Sequence, residues 1–174
     1  MKSFTSFLTG LAKTVVVVAV LAGIFVFAMR FADGPWGMVP GGAFSQPPQP
    51  APASWAFAKE LDTVEFQLLE PVSSRTSWIA EHDGKMFIPS GYMNSAVGKL
   101  WKHWPMRAEK AGEALLRIDD RVFPVYMQRI KDPETLEPVL EELARKYMPS
   151  RPPMAAMLAQ VANDDLWIFE LRER

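Results

Sequence analysis

Arg75-Thr76-Ser77-Trp78-Ile79-Ala80-Glu81-His82-Asp83-Gly84-Lys85-Met86-Phe87-Ile88-Pro89-Ser90 is the stretch on which the reading of the fold turns. Arg75 to Glu81 and Lys85 to Ser90 read as two strands of a hairpin, joined through His82-Asp83-Gly84 with Asp-Gly as the turn signal. Ala114 to Ile118 and Val122 to Ile130 repeat the pattern across Asp119-Asp120. Pro124 cannot donate to a ladder, which predicts a bulge or a sheet edge at that point. Upstream, Thr63-Val64-Glu65-Phe66-Gln67-Leu68 alternates like a half-buried strand, and Leu166 to Leu171 closes the chain with a short strand.

Helical spacing fills the gaps between these strands. Val97, Leu100, Trp101 and Trp104 fall at i, i+3, i+4 and i+7 behind a cap at Asn94 or Ser95. Leu136, Val139, Leu140, Leu143 and Tyr147 do the same, with Asp132 as cap and Pro133 at the first helical position. Pro138 is expected to kink that helix or delay its start. Pro153 to Ala162 is a third, shorter candidate. The order predicts an α+β fold: a six-stranded antiparallel barrel with two or three flanking helices.

Ahead of this domain lies a run of another kind. Thr14 to Met29 carry no charge, between Lys13 and Arg30. As a helix the run measures roughly 24 Å at about 1.5 Å per residue. Leu8, Leu11 and Phe31 extend it towards the thickness of a bilayer core, with both flanking charges able to snorkel. Three readings compete: an uncleaved anchor, a signal peptide cut after Val26-Phe27-Ala28, and a buried core helix. A β-branched run with no polar face argues against the last. The anchor reading makes the lipid bilayer a partner. Lys2 and Lys13 precede the span and only Arg30 follows, so the positive-inside rule sends the remainder across. The expectation is a single-pass protein of the cell inner membrane with its C-terminal domain on the outer, periplasmic side.

Residues 33–54 hold six prolines and four glycines, and composition reads them as a semi-rigid spacer. Trp36 falls where an interfacial indole sits. The expected organisation is therefore an anchor over 1–32, a linker over 33–54 and a barrel domain over 55–174.

The chain has no cysteine, which excludes disulfides, thiolate catalysis and cysteine-ligated metals. Acyl-transfer elbows, Walker loops and His-Glu-x-x-His are absent too. Pro71 to Lys131 holds ten Lys or Arg against six Asp or Glu, whereas residues from Asp132 onward hold five against nine. The middle of the domain is the more anion-friendly half, yet its basic density falls short of a nucleic-acid surface. Glu81-His82-Asp83 reads as a solvated turn, since neighbours in a turn project apart. Two segments carry chemistry suited to anions. Arg75-Thr76-Ser77 joins a cation to two hydroxyls, the composition of a phosphate clamp or of an ordinary loop. Ser90-Gly91 at a strand exit leads to a helix bearing Lys99, Lys102 and His103 on one face, an anion dock or simply a solubilised helix.

In this order the pieces resemble the FMN-binding split-barrel superfamily, and more closely its deazaflavin-dependent nitroreductase-like branch. The resemblance covers Phe66 to Leu171. It rests on Asp83-Gly84-Lys85-Met86-Phe87-Ile88-Pro89-Ser90, Lys99-x-Trp101, Arg117-Ile118-Asp119-Asp120-Arg121-Val122-Phe123-Pro124-Val125, Asp132-Pro133 and Lys146-Tyr147. With Gly34 to Gly42 included, the whole chain looks most like a group of membrane-anchored proteins carrying Gly-Pro-x-Gly-x-x-Pro-Gly-Gly after the anchor. The resemblance implies a six-stranded split β-barrel. It also implies a cofactor phosphate held by Arg75, Thr76, Ser77 and Lys99, with Ser90 and Gly91 flanking the ring of FMN or a deazaflavin through backbone groups and Trp101 as a further cofactor-binding position. The Gly-Arg-x-Ser-Gly loop of the deazaflavin enzymes is replaced here by Pro71-Val72-Ser73-Ser74-Arg75. Two function classes stay open: an oxidoreductase, and a non-catalytic membrane-tethered binding or assembly domain using the same groove. A homodimer through the barrel is a further expectation.

Overall fold

The computed structural model describes residues 2–174, except for the side chains of residues 2–6, Val97, Leu100 and Trp101. Seven strands form one antiparallel sheet: β1 (Thr63–Leu69), β2 (Val72–Trp78), β3 (Ala80–His82), β4 (Lys85–Ser90), β5 (Glu113–Ile118), β6 (Arg121–Ile130) and β7 (Trp167–Glu173). Their spatial order is β2-β1-β5-β6-β7-β4-β3. The two edges, β2 and β3, are consecutive in the chain with only Ile79 between them. A sheet whose opposite edges are one residue apart must curl, and β2 approaches β4 across the gap. The result is a half-barrel.

Seven strands stand where six were expected, because the run from Arg75 to Glu81 is not one strand. It breaks at Ile79, leaving β1 as partner on one side and β4 on the other. Two side chains satisfy the broken backbone. The Tyr147 hydroxyl accepts from Ile79 N–H at 3.1 Å, and its oxygen lies 2.6 Å from the Asp62 carbonyl and 2.8 Å from that of Ile79. Lys146 Nζ donates to the carbonyls of Lys59, Leu61 and Ile79. β2 itself begins earlier than expected, at Val72, and pairs with β1 through the Glu70-Pro71 turn, whose peptide bond is cis.

The two turns predicted from Asp83-Gly84 and Asp119-Asp120 form, with positive φ at all four residues. Pro124 pairs opposite Leu115 of β5, just past the point where β7 ends at Val125↔Glu173. On that side β6 is locally an edge, and the missing N–H costs no ladder bond.

Five helices accompany the sheet: α1 (Lys2–Ala28), α2 (Ala96–Trp101), α3 (Trp104–Ala111), α4 (Pro133–Tyr147) and α5 (Met154–Ala162). Four thus flank the barrel rather than two or three. The run Val97 to Trp104 is split at Lys102-His103, because Pro105 has no N–H for the carbonyl four residues back and sits in the first turn of α3 instead. Ser95 caps α2 and Asp132 caps α4, the latter accepting from Thr135 N–H at 2.9 Å. Pro138 lies inside a continuous α4 that starts on time.

Strand alternation divides the core between the two faces of the sheet. Val64, Phe66 and Leu68 of β1 and Met86 and Ile88 of β4 face the barrel interior, which Trp104 and Ala108 of α3 plug. Trp104 lies against Phe66 at 4.8 Å and Phe169 at 5.6 Å between ring centroids. Phe87 and Ile168 face outward and are covered by Leu136, Leu140 and Leu143 of α4 and Met157 and Val161 of α5.

None of the span Phe7–Phe31 is buried in the protein, which removes the core-helix reading; it is long and apolar enough to cross a membrane. Residues 33–54, expected as a spacer, are strapped onto the half-barrel. Gly41 exchanges two 3.0 Å backbone bonds with Ser74, Phe44 is buried with its N–H on Gln67 Oε1, and Gln49 N–H reaches the Val122 carbonyl. Asp33 accepts from Ser45, Gln46 and Arg117. Composition cannot show the ties to the barrel, whose partners lie 23 to 84 residues away.

Candidate functional site: an unpaired arginine on the interior face of the barrel

The register of β1 and β2 assigns each predicted site residue on β2 to a face. Phe66, an interior residue, lies opposite Arg75, and Val64 opposite Ser77. Arg75 and Ser77 therefore face the barrel interior together. Thr76 lies opposite Glu65 and faces the other way, where it lines a cleft of about 480 Å³ with Asp33, Glu65, Arg117 and Asp119. Thr76 is thereby separated from Arg75, since successive side chains of a strand point to opposite faces.

Arg75 is half-buried, and its Nε is one of three buried side-chain polar atoms without a hydrogen-bond partner among the described residues; the others are Ser74 Oγ and Arg129 Nε. The two arginines differ in everything else. Arg129 binds Glu109 and Asp164 and lies 3.6 Å over the Trp167 ring. No carboxylate pairs with Arg75 among the described residues. Its charged neighbour is a second cation, Arg107 of α3, also without an ion pair there. Burial, and then the Arg107 charge, pull the Arg75 guanidinium below its ordinary value. Arg107 follows Trp104 by three residues, so the aromatic contact with Phe66 that seats α3 also delivers this cation. Sequence reasoning did not single out Arg107, because a lone arginine on an exposed helix face carries no signal until the helix is docked.

The remaining expected residues are arranged otherwise. Ser90 is buried on the interior face of β4, its hydroxyl 3.4 Å from Met93 Sδ. The Gly91 carbonyl accepts from Lys102 Nζ at 2.7 Å, and burial lowers the Lys102 ammonium while Asp165 raises it. Lys102 is thus a structural tie for the strand exit. Lys99 is exposed on α2, a helix of six residues. The Trp101 side chain lies outside the described residues. The arrangement suits the phosphate end of a cofactor: a guanidinium with an unmet, buried N–H beside a second guanidinium, with Ser77 on the same face. At the strand exit the Ser90 hydroxyl and the Gly91 carbonyl are each held by a neighbouring side chain.

The fold and site define a curled antiparallel half-barrel with an uncompensated arginine, Arg75, on its interior side and a second, exposed arginine, Arg107, near enough for its charge to act on the first. No family model matches the chain, and no curated protein matches it. Among solved structures it is similar to a conserved hypothetical protein from Mycobacterium tuberculosis, with 13% identity and a TM-score of 0.48 over 68% of this chain and 76% of that one. It is also similar to a putative pyridoxamine 5'-phosphate oxidase from Listeria innocua, with 13% identity and a TM-score of 0.43 over 67% of this chain and 86% of that one.

Proposed function

We propose that this is a membrane-anchored half-barrel protein that binds a phosphate-bearing flavin-type cofactor, FMN or a deazaflavin, and acts as an oxidoreductase. The anchor is α1, in the cell inner membrane, with the barrel on the periplasmic side. The observation that carries the binding proposal is Arg75, held half out of water without a carboxylate and beside Arg107. Two guanidiniums so placed repel one another and gain from an anion that accepts from both. Arg75 and Arg107 grip the phosphate, with the Ser77 hydroxyl as a further donor. Hydride chemistry belongs to the ring of the bound cofactor, and no protein acid or base is required for it.

Titrating the full-length, detergent-solubilised protein with FMN and with a deazaflavin, by calorimetry and absorbance, tests this. The expected result is saturable binding that Arg75→Ala weakens about tenfold or more, the loss of one charge-assisted contact. Thr76→Ala, on the other face, leaves affinity unchanged. No heat with either cofactor removes the oxidoreductase reading. One observation favours a non-catalytic binding domain instead: the Ser90 hydroxyl and the Gly91 carbonyl are each taken by a side chain of the protein, Met93 and Lys102. Binding of inorganic phosphate, lost in Arg75→Ala, without binding of either cofactor is the result that reading expects.

A further inference from the structure

The segment that follows α1 turns back alongside it. Only Met29–Phe31 separate the end of α1 from Ala32, whose carbonyl already accepts from Gly42 N–H at 3.1 Å. Asp33 is next, held by Ser45 and by Arg117, which in turn grips Glu65 of β1 at 2.6 Å. Gly34, at φ +87°, lies against the Arg117 guanidinium so closely that a Cβ there would meet Nη2 at 1.9 Å. At Gly41 a Cβ would meet the Gly34 carbonyl oxygen at 1.7 Å. Both glycines are what lets the loop close onto the barrel. Between them, Trp36 and Val39 exchange backbone hydrogen bonds, a tight turn with Gly37-Met38 at its tip.

This turn points down the helix. The Trp36 indole meets the Phe25 ring edge-on at 5.4 Å. Phe25 lies six residues before the end of the span, about 9 Å along the axis at 1.5 Å per residue. An indole in contact with it sits deeper than Arg30, the residue that marks the headgroup level. Trp36 and Met38 are 67% and 89% exposed, and through the Phe25 contact this apolar surface joins that of α1, which ends in Phe31, 80% exposed against Phe27.

We propose that the Trp36–Met38 turn is a second membrane contact, immersed at the headgroup and acyl boundary beside α1. The half-barrel is therefore seated on the bilayer in a fixed orientation, not held off it by a spacer. The partner is the lipid surface, since indole and thioether groups at that depth partition into the interface. This inference rests on α1 spanning a membrane, and the test separates the two.

The chain has no cysteine, so single-cysteine variants take one label each. Phe27→Cys, Met38→Cys and Tyr92→Cys of the full-length protein are labelled with an environment-sensitive fluorophore and reconstituted in phosphatidylcholine–phosphatidylglycerol vesicles with or without nitroxide-bearing lipid. Tyr92 is 72% exposed on the barrel. The expected result is blue-shifted emission and loss of intensity to the nitroxide at Phe27 and Met38, and neither at Tyr92. Loss at Phe27 with Met38 behaving like Tyr92 overturns the second contact and leaves the anchor standing. No loss at Phe27 overturns the anchor and the inference with it.

Discussion

Arg75 and Arg117 are the same side chain in opposite circumstances. Arg117 is surrounded by Glu65, Asp33, Gln46 and the face of Phe44 at 4.2 Å, whereas Arg75 has Arg107. Removing Arg117 leaves two partly exposed carboxylates unpaired, so Arg117→Met should cost about 1–3 kcal/mol, below the figure for a fully buried pair. Arg75→Met relieves a desolvated, uncompensated charge and should leave the melting temperature unchanged or raised while anion binding falls. Thermal unfolding of both variants in phosphate-free buffer checks the contrast, and a fall for Arg75→Met would show that the residue is structural. The sequence exposed Arg75 and Ser77 as candidates through their chemistry. It grouped Thr76 with them by composition, although Arg75 to Glu81 already read as a strand, whose alternation turns Thr76 away from Arg75 and Ser77. Arg107 depends wholly on how α3 docks.

Local chemistry made some elements readable. Asp83-Gly84, Asp119-Asp120 and Asp132-Pro133 carry their turn and cap instructions within two residues, and all three act as read. Asp132→Ala should lower the midpoint of thermal unfolding, because the Thr135 N–H loses its cap. β2 was partly hidden because Val72-Ser73-Ser74 has the composition of a loop, its strand conformation being imposed by pairing with β1 and by the Gly41 contact with Ser74. The strap over 33–54 was hidden for the same reason: its prolines and glycines are those of a spacer, and the side chains that tie it down belong to β1 and β5. Asp33 makes that tie pH-sensitive. The hydrogen bonds from Ser45 hold its carboxyl below the ordinary value of 3.8 against the opposing effect of burial, and Arg117 adds a lesser pull in the same direction as Ser45. A depressed carboxyl stabilises above its unfolded value and loses that contribution as pH falls through the folded one. Asp33→Asn should therefore destabilise the protein near neutrality, and the gap between wild type and variant should close below about pH 4. A gap that persists at pH 2–3 would mean that the effect is not the carboxylate's charge.

At the scale of the molecule, α3 is the plug of the half-barrel and α4 its latch. Trp104, 7% exposed between Phe66 and Phe169, should cost about 3–5 kcal/mol on replacement by alanine, read from denaturant unfolding. The barrel was legible as a whole because its strands alternate and its hairpins are punctuated, while its closure was not, because a bend at Ile79 has no local signal. A reporter fused after Arg174 should be active only outside the cytoplasm if the positive-inside bias sets orientation. The bend also has a consequence in time. Ile79 is fully buried, and the partner of its N–H is the Tyr147 hydroxyl rather than a neighbouring strand. Its amide proton should exchange with solvent whenever the end of α4 lifts, at a rate set by that local opening, while the amides of β1 and β5 wait for global unfolding. Tyr147→Phe should hasten exchange at Ile79 selectively, making one proton a clock for the latch.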